Sequence, residues 1–280
     1  MSPFRILTYN ILNDSPKFQN DSKRVWQTRK KHIFNILNMY EPDLIGMQEA
    51  RYRQVAEINS HLQGYGWYGE ASKGVQADRE FVPIFYKKSV FEILDADTFW
   101  LSPTPNFLSR GWDAAHYRIA TWVKLRHKES SQIITHYNTH FDHQGEQARI
   151  ESAKLLLQYM QEHHPEEHIV LTGDFNSSNS FKPYQILNKS KRLTDAFISI
   201  GNEHKGPNWS FTGIDVNFTF LKLYLHLFYS NFMHRRIDYI FHSPNLQIAN
   251  HEIIDYRYGN LRPSDHLPII ADISLPKVLT

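Results

Sequence analysis

The sequence predicts an α/β protein with more than one covered sheet face. Two long helical patterns set among short apolar runs carry that reading, together with the hairpin spacing of several of those runs. In chain order, Phe4-Arg5-Ile6-Leu7-Thr8-Tyr9-Asn10 reads as a strand. Trp26, Arg29, Ile33, Ile36, Leu37 and Tyr40 follow helical spacing, and Pro42 stops that helix. Residues 43–48 read as a buried strand ending at Glu49, and 81–86, 91–99, 119–125 and 132–140 as further strands. Between 146 and 162, Ile150, Ala153, Leu157 and Met160 share one helical face. Residues 168–172 form another buried strand before Gly173-Asp174, and 236–241 and 268–273 complete the set. Each half thus runs strand, helix, strand, with an acid at the end of the second strand.

Composition narrows the class. The 280 residues suit one large domain, 1–280, and no linker or short repeat divides them. With 41% hydrophobic and 14% aromatic residues, the chain can bury a sizeable core. No cysteine is present, which excludes a disulfide scaffold, a zinc finger and a thiol nucleophile. The balance of 31 basic against 29 acidic residues, +2, does not announce a nucleic-acid binder by bulk charge. No secretory leader pattern opens the sequence, and no run approaches the roughly 18 apolar residues of a spanning helix. The expectation is an intracellular, cytoplasmic protein with no transmembrane segment; its oligomeric state is left open.

The informative feature is the position of polar residues at strand ends. Asn10, Glu49, His140, Asp174 with Asn176, Asp238, and Asp265-His266 all flank apolar runs. A carboxylate buried there costs several kcal/mol, roughly, unless a metal or hydrogen-bond partner compensates. Oxygen donors without thiols suit a hard cation, Mg2+ or Mn2+, and acid–histidine pairs suit oxyanion stabilisation or proton transfer. His140-Phe141-Asp142-His143 lacks the Glu and the helical spacing of a zincin, which disfavours zinc.

The blocks Thr8-Tyr9-Asn10, Asp43-Leu44-Ile45-Gly46-Met47-Gln48-Glu49, Gly173-Asp174-Phe175-Asn176, Arg236-Ile237-Asp238-Tyr239-Ile240 and Ser264-Asp265-His266-Leu267-Pro268 are informative together. In order and extent they resemble the endonuclease/exonuclease/phosphatase superfamily, the deoxyribonuclease I-like group. The resemblance implies a four-layer sandwich of two packed mixed β-sheets flanked by helices, with the site at one edge. It further implies Glu49 as the principal metal-binding carboxylate, with Asn10 and Asp265 beside it. Asp174 would orient or deprotonate the attacking water, and Asn176 would help position it. His266, supported by Asp238, would face the scissile phosphate. Glu80 and His140 resemble a second acid–histidine pair, and Arg118 a phosphate-contacting arginine. The mechanism so implied is in-line attack by water without a covalent protein intermediate.

Departures narrow the branch. The arginine and Trp-x-Asp-Arg element of inositol polyphosphate 5-phosphatases are replaced by Asn176-Ser177-Ser178 and Arg235-Arg236-Ile237-Asp238, and His140 stands where abasic-site endonucleases carry Tyr. Gly111-Trp112-Asp113-Ala114-Ala115 and His140-Phe141-Asp142-His143-Gln144-Gly145 resemble an uncharacterised microbial branch. An apolar insertion at 216–234 does not fit: it reads as an extra edge hairpin, as an apolar contact (218–229) for lipid or a hydrophobic substrate, or as a retained intron. The leading substrate expectation is a phosphodiester of nucleic acid or nucleotide, with Lys17, Lys23, Arg24, Arg29, Lys30 and Lys31 as a basic cluster that could meet phosphates or form a solvated helix face. The alternative is a monoester of a small phosphorylated metabolite or lipid headgroup.

Overall fold

Period-two alternation along the apolar runs resolves into two six-stranded mixed sheets packed face to face. The computed structural model describes residues 3–18, 20–72, 79–165, 168–212 and 235–277, so the insertion at 216–234 lies outside the described residues. The elements are β1 (Phe4–Asn10), α1 (Trp26–Tyr40), β2 (Leu44–Gln48), β3 (Ala50–Arg51), α2 (Tyr52–His61), β4 (Tyr65–Tyr68) and β5 (Glu80–Phe81). They continue with β6 (Ile84–Lys87), β7 (Phe91–Trp100), β8 (Ile119–His127), β9 (Ile133–His140), α3 (Glu146–His163) and β10 (His168–Asp174). Last come α4 (Lys182–Asn188), β11 (Thr194–Asp195), α5 (Ala196–Ile200), β12 (Asp238–His242), β13 (Gln247–Ile253) and β14 (Ile269–Ser274).

One sheet has the order β13-β14-β1-β2-β6-β4 and the other β11-β12-β10-β9-β8-β7. Each contains a single parallel pair, β1–β2 and β9–β10, at its centre. A parallel pair needs a long crossover, and α1 and α3 supply it. Ile6, Leu44, Ile134, Val170 and Ile240 meet between the sheets. Their alternates Leu7, Tyr9, Ile45 and Met47 turn outward onto α1 and α2, while Tyr137, Ile169, Leu171 and Phe241 pack under α3 and α4. The result is the four-layer sandwich.

Several local expectations shift. The run 81–86 breaks, because Pro83 has no N–H for a ladder: β5 pairs with β3, whereas β6 joins the large sheet between β2 and β4. On α3 the buried row is Ala148, Ser152, Leu156 and Met160 with Ala153, so Leu156 rather than Leu157 sits in the core. Arg29 is buried in α1 and donates to the carbonyls of Arg24, Ile11, Leu12 and Pro263 at 2.6–2.8 Å. Lys30 pairs with Glu57 and Arg24 with Asp21, so half of the proposed basic cluster is held by the fold itself.

Toward the strand ends the core between the sheets turns polar. Gln48 donates to Asn138 Oδ1 at 2.7 Å and to Thr8, Asn138 donates to the Met47 carbonyl at 2.7 Å, and Thr172 reaches Asn138. Gly46 allows this approach: a Cβ there would lie 2.3 Å from Thr172 Oγ1. His136 closes the layer, its Nε2 2.8 Å from that same hydroxyl, and full burial lowers its pKa to about 3. The folded state therefore keeps His136 neutral, whereas the unfolded chain protonates it near pH 6.5. Stability is then independent of this group above pH 7 and falls as pH drops from 6.5 toward 3, by about 1.4 kcal/mol per pH unit. Urea denaturation at pH 8, 7, 6 and 5 should show that decline in the wild type and a shallower one in His136→Gln; equal slopes would contradict the assignment.

Candidate active site

Topology gathers the polar strand ends at one edge. The parallel pairs β1–β2 and β9–β10 deliver Asn10, Glu49, His140 and Asp174 with their C-termini. The antiparallel neighbours begin where those strands finish: Asp238 opens β12 in register with Asp174, and Asp265-His266 lead into Ile269, the partner of Thr8. A cavity of about 650 Å3 lies there, lined among others by Glu49, Glu80, Arg118, His140, Asp174, Asn176, Asp265 and His266. Asn10 and Asp238 stand immediately behind this lining. Leu12, Glu49 and Asn176 have φ of 56°, 61° and 46°, left-handed backbone that non-glycine residues adopt mainly where the surroundings impose it.

The hydrogen bonds form one connected set. The Asn10 amide donates to Asp174 Oδ2 at 2.9 Å and to Glu49 Oε1 at 3.2 Å. Asn13 donates its side-chain amide to Glu49 Oε2 at 2.8 Å and to Glu80 Oε1 at 3.0 Å. His266 Nδ1 lies 2.8 Å from Asp238 Oδ2, which also accepts from the Ser210 hydroxyl, while His266 Nε2 stands 3.6 Å from Asp174 Oδ2. Asn176 binds Asp174 Oδ1 through its backbone N–H at 2.9 Å, and its amide lies 3.2 Å from His140 Nε2.

Burial and neighbouring charge separate the groups. Burial pushes Asp174 up to about 7, against the pull of His266 and with the help of Asp238. Desolvation in the cavity, then Glu49, pushes Glu80 up to about 7. Burial and then Glu49 also raise Asp265, though His266 opposes. Burial disfavours an imidazolium at both histidines, yet Asp238, Asp174 and Asp265 hold His266 well above its ordinary pKa. His140 has Arg118 and His266 nearby and falls well below. One histidine is charged and the other neutral.

Two residue sets bear on a metal. Among the described residues, Asp174, Asp238 and His266 present ligand atoms within 4.8 Å of one another, a buried cluster that could hold an ion. Within that trio His266 Nδ1 is already hydrogen-bonded to Asp238 Oδ2. Of the all-oxygen set that the resemblance implies, Glu49 and Asp265 line the same cavity; the Asn10 and Asn13 amides donate to Glu49, and Asn10 Oδ1 accepts from Leu12 N–H. Buried Asn13 Oδ1 has no hydrogen-bond partner among the described residues, an acceptor that a hard cation or its water would satisfy.

One expected arrangement differs. Glu80 contacts Asn13 and Arg118, and His140 contacts Asp174 and Asn176, because β5 sits on the β3 side of the cavity and β9 beside β10. They do not form the expected acid–histidine pair among the described contacts. Arg118 is buried with Nε 3.4 Å from Asp142 Oδ2 and a longer approach of 4.0 Å to Glu80. Burial alone would raise Asp142, but backbone N–H groups of Gly145, Ala115, Gln144 and His116 hold it far below the usual carboxylate range. Sequence reasoning missed Asn13 and Ser210 as members of the site's framework, and it quoted Asp142 within a motif without giving it a role.

Residues 7–266 match the Endonuclease/Exonuclease/phosphatase family, and the chain belongs to it. A family member from Bacteroides vulgatus shares 32% identity with a TM-score of 0.86, over 99% of this chain and 100% of that one. A mannosyl-6-phosphatase from Bacteroides thetaiotaomicron shares 27% identity with a TM-score of 0.85, over 97% of this chain and 100% of that one. An uncharacterised protein of Acanthamoeba polyphaga mimivirus is 26% identical over 98% of this chain, which spans 44% of that protein's length.

The Arg29 guanidinium ties the β1–α1 loop, which carries Asn13, to Pro263 beside Ser264-Asp265-His266. Arg29→Met leaves its carbonyl partners without that donor and should lower unfolding free energy by about 3 kcal/mol in urea titrations. A loss below about 1 kcal/mol would show that the clamp does not hold these loops.

Proposed function

We propose that this protein hydrolyses a phosphate monoester of a compact polar substrate, with Mg2+ or Mn2+ bound by Glu49, Asp265 and Asn10. The observation that carries hydrolysis is the relay Asp238–His266 standing 3.6 Å from buried Asp174. Support for a monoester comes from the similarity to a mannosyl-6-phosphatase along nearly the whole chain. The internal use of Arg24, Arg29 and Lys30 removes part of the motive for a nucleic-acid backbone.

Asp174 takes the proton of the attacking water, a role suited to a carboxyl poised near neutrality. Asn176 and Asn10 fix the two Asp174 oxygens and so orient that water. His266, kept charged by Asp238, stabilises negative charge as it builds on the phosphoryl oxygens. A bound divalent cation would supply further charge neutralisation at the phosphate. The ester P–O bond then breaks as the water oxygen bonds to phosphorus, and the departing oxygen takes up a proton from solvent water. In-line displacement puts the leaving oxygen on the far side of phosphorus from Asp174. His140, beside Asp174 and Asn176, serves as a hydrogen-bond partner that holds the Asn176 amide in place.

Wild-type protein with Mg2+ should release phosphate from sugar monophosphates faster than it cleaves bis(p-nitrophenyl) phosphate, and chelator should abolish both. Asp174→Ala and His266→Ala should each lower kcat by roughly 100- to 10,000-fold. Turnover confined to the diester would overturn the monoester reading in favour of the nuclease-like one. Near wild-type turnover in either variant would overturn the residue roles.

A further inference from the structure

We propose that the arginine- and histidine-bearing side of the cavity is an anion subsite, so that the preferred substrate is a compact phosphate ester carrying a second phosphate or carboxylate group. This rests on the phosphoesterase reading of the same cavity and extends it to the substrate's second charge.

The first observation is a loop of unusual length. β7 and β8 are antiparallel neighbours, yet 18 residues separate Trp100 from Ile119 where two to five commonly close a hairpin. The excursion is held in place. Leu101 N–H donates to the Arg118 carbonyl at 2.8 Å, and His116 N–H donates to Asp142 Oδ2 at 3.0 Å. Asp113 accepts from the first-turn N–H groups of Gln147 and Ala148 in α3, at 3.2 and 2.7 Å. Long ordered loops of this kind mark binding surfaces more often than plain connections.

The second observation is what the loop delivers. Arg110, His116 and Arg118 line the cavity from it, His143 joins from the β9–α3 connection, and Arg51 and Arg79 come from the β3–β5 side. The His116 and His143 rings stack at 5.3 Å and 22°, with Arg118 Nη2 3.4 Å from His143 Nδ1. Four arginines therefore line the cavity. Arg118 is engaged by Asp142 and Glu80, whereas Arg110 is exposed, and the stacked His116 and His143 line the same cavity. A cavity of about 650 Å3 leaves space beyond one phosphoryl group for a second anion to reach Arg110 and these rings.

The test reads binding without turnover. Calorimetry of Asp174→Asn with Mg2+ compares mannose 6-phosphate, fructose 1,6-bisphosphate and 6-phosphogluconate. At least one two-anion ligand should bind tenfold or more tightly than mannose 6-phosphate, and which one identifies the second group as phosphate or carboxylate. Adding Arg110→Ala, an exposed position, should shrink that ratio below threefold, whereas Arg126→Ala, remote on β8, should leave it unchanged. Equal binding of one- and two-anion ligands, or a ratio indifferent to Arg110→Ala, would overturn the subsite. Failure of the phosphoesterase reading would appear separately, as no phosphate release by the wild type from any of the three.

Discussion

Asp174 is a carboxylate buried where two sheets meet, and the arrangement around it makes that burial tolerable. It accepts from the Asn10 amide and from the Asn176 backbone, and it faces an imidazolium whose charge depends on Asp238. Each partner arrives from a different strand end. Without the hydrogen bonds and the opposing charge, burial of such a group would cost several kcal/mol, roughly, and the fold would lose more than its chemistry. With them, the group is held near neutrality and can exchange a proton.

The sandwich exists in a form that satisfies this constraint. A parallel pair at the centre of each sheet brings four strand C-termini to one edge, and the antiparallel neighbours bring the N-termini of β12 and the approach to β14. The inter-sheet core is apolar at the far end and hydrogen-bonded near the site, through Gln48, Asn138, Thr8 and Thr172. That gradient lets buried amides and carboxylates find partners without opening the core to water. Arg29 and Asp142 act at a further remove, each fixing loops through backbone groups that would otherwise be unpaired.

Much of this was legible in the residues. Strand-end acids and amides identified the edge, because an acid following Val-Leu-Thr or Ile-Gly-Met has little reason to be there unless something receives it. The two strand–helix–strand units, weak as sequence similarity, are the two crossovers of the structure. Arg29 had two readings, a place on the apolar spacing of α1 and a member of the basic cluster; the first holds, because the loops folding over α1 give its guanidinium four carbonyls. Glu80 and His140 were paired by resemblance, but Pro83 breaks the strand and puts Glu80 on the β3 ribbon. Asn13 and Ser210 escaped because their partners are remote in sequence and no periodicity marks a loop residue. Asp113 belonged to a motif whose physical sense, capping α3 from a loop more than thirty residues away, appears only in three dimensions.

The central claim is that Glu49 and Asp265 crowd negative charge that a divalent cation relieves. Thermal unfolding with and without Mg2+ tests it most directly. The wild type should gain several degrees in Tm at saturating Mg2+, as binding to the native state alone requires. Glu49→Gln should unfold at or above the wild-type temperature in chelator and gain little from Mg2+. A wild-type Tm indifferent to Mg2+ and Mn2+, or an equal gain in Glu49→Gln, would contradict the account.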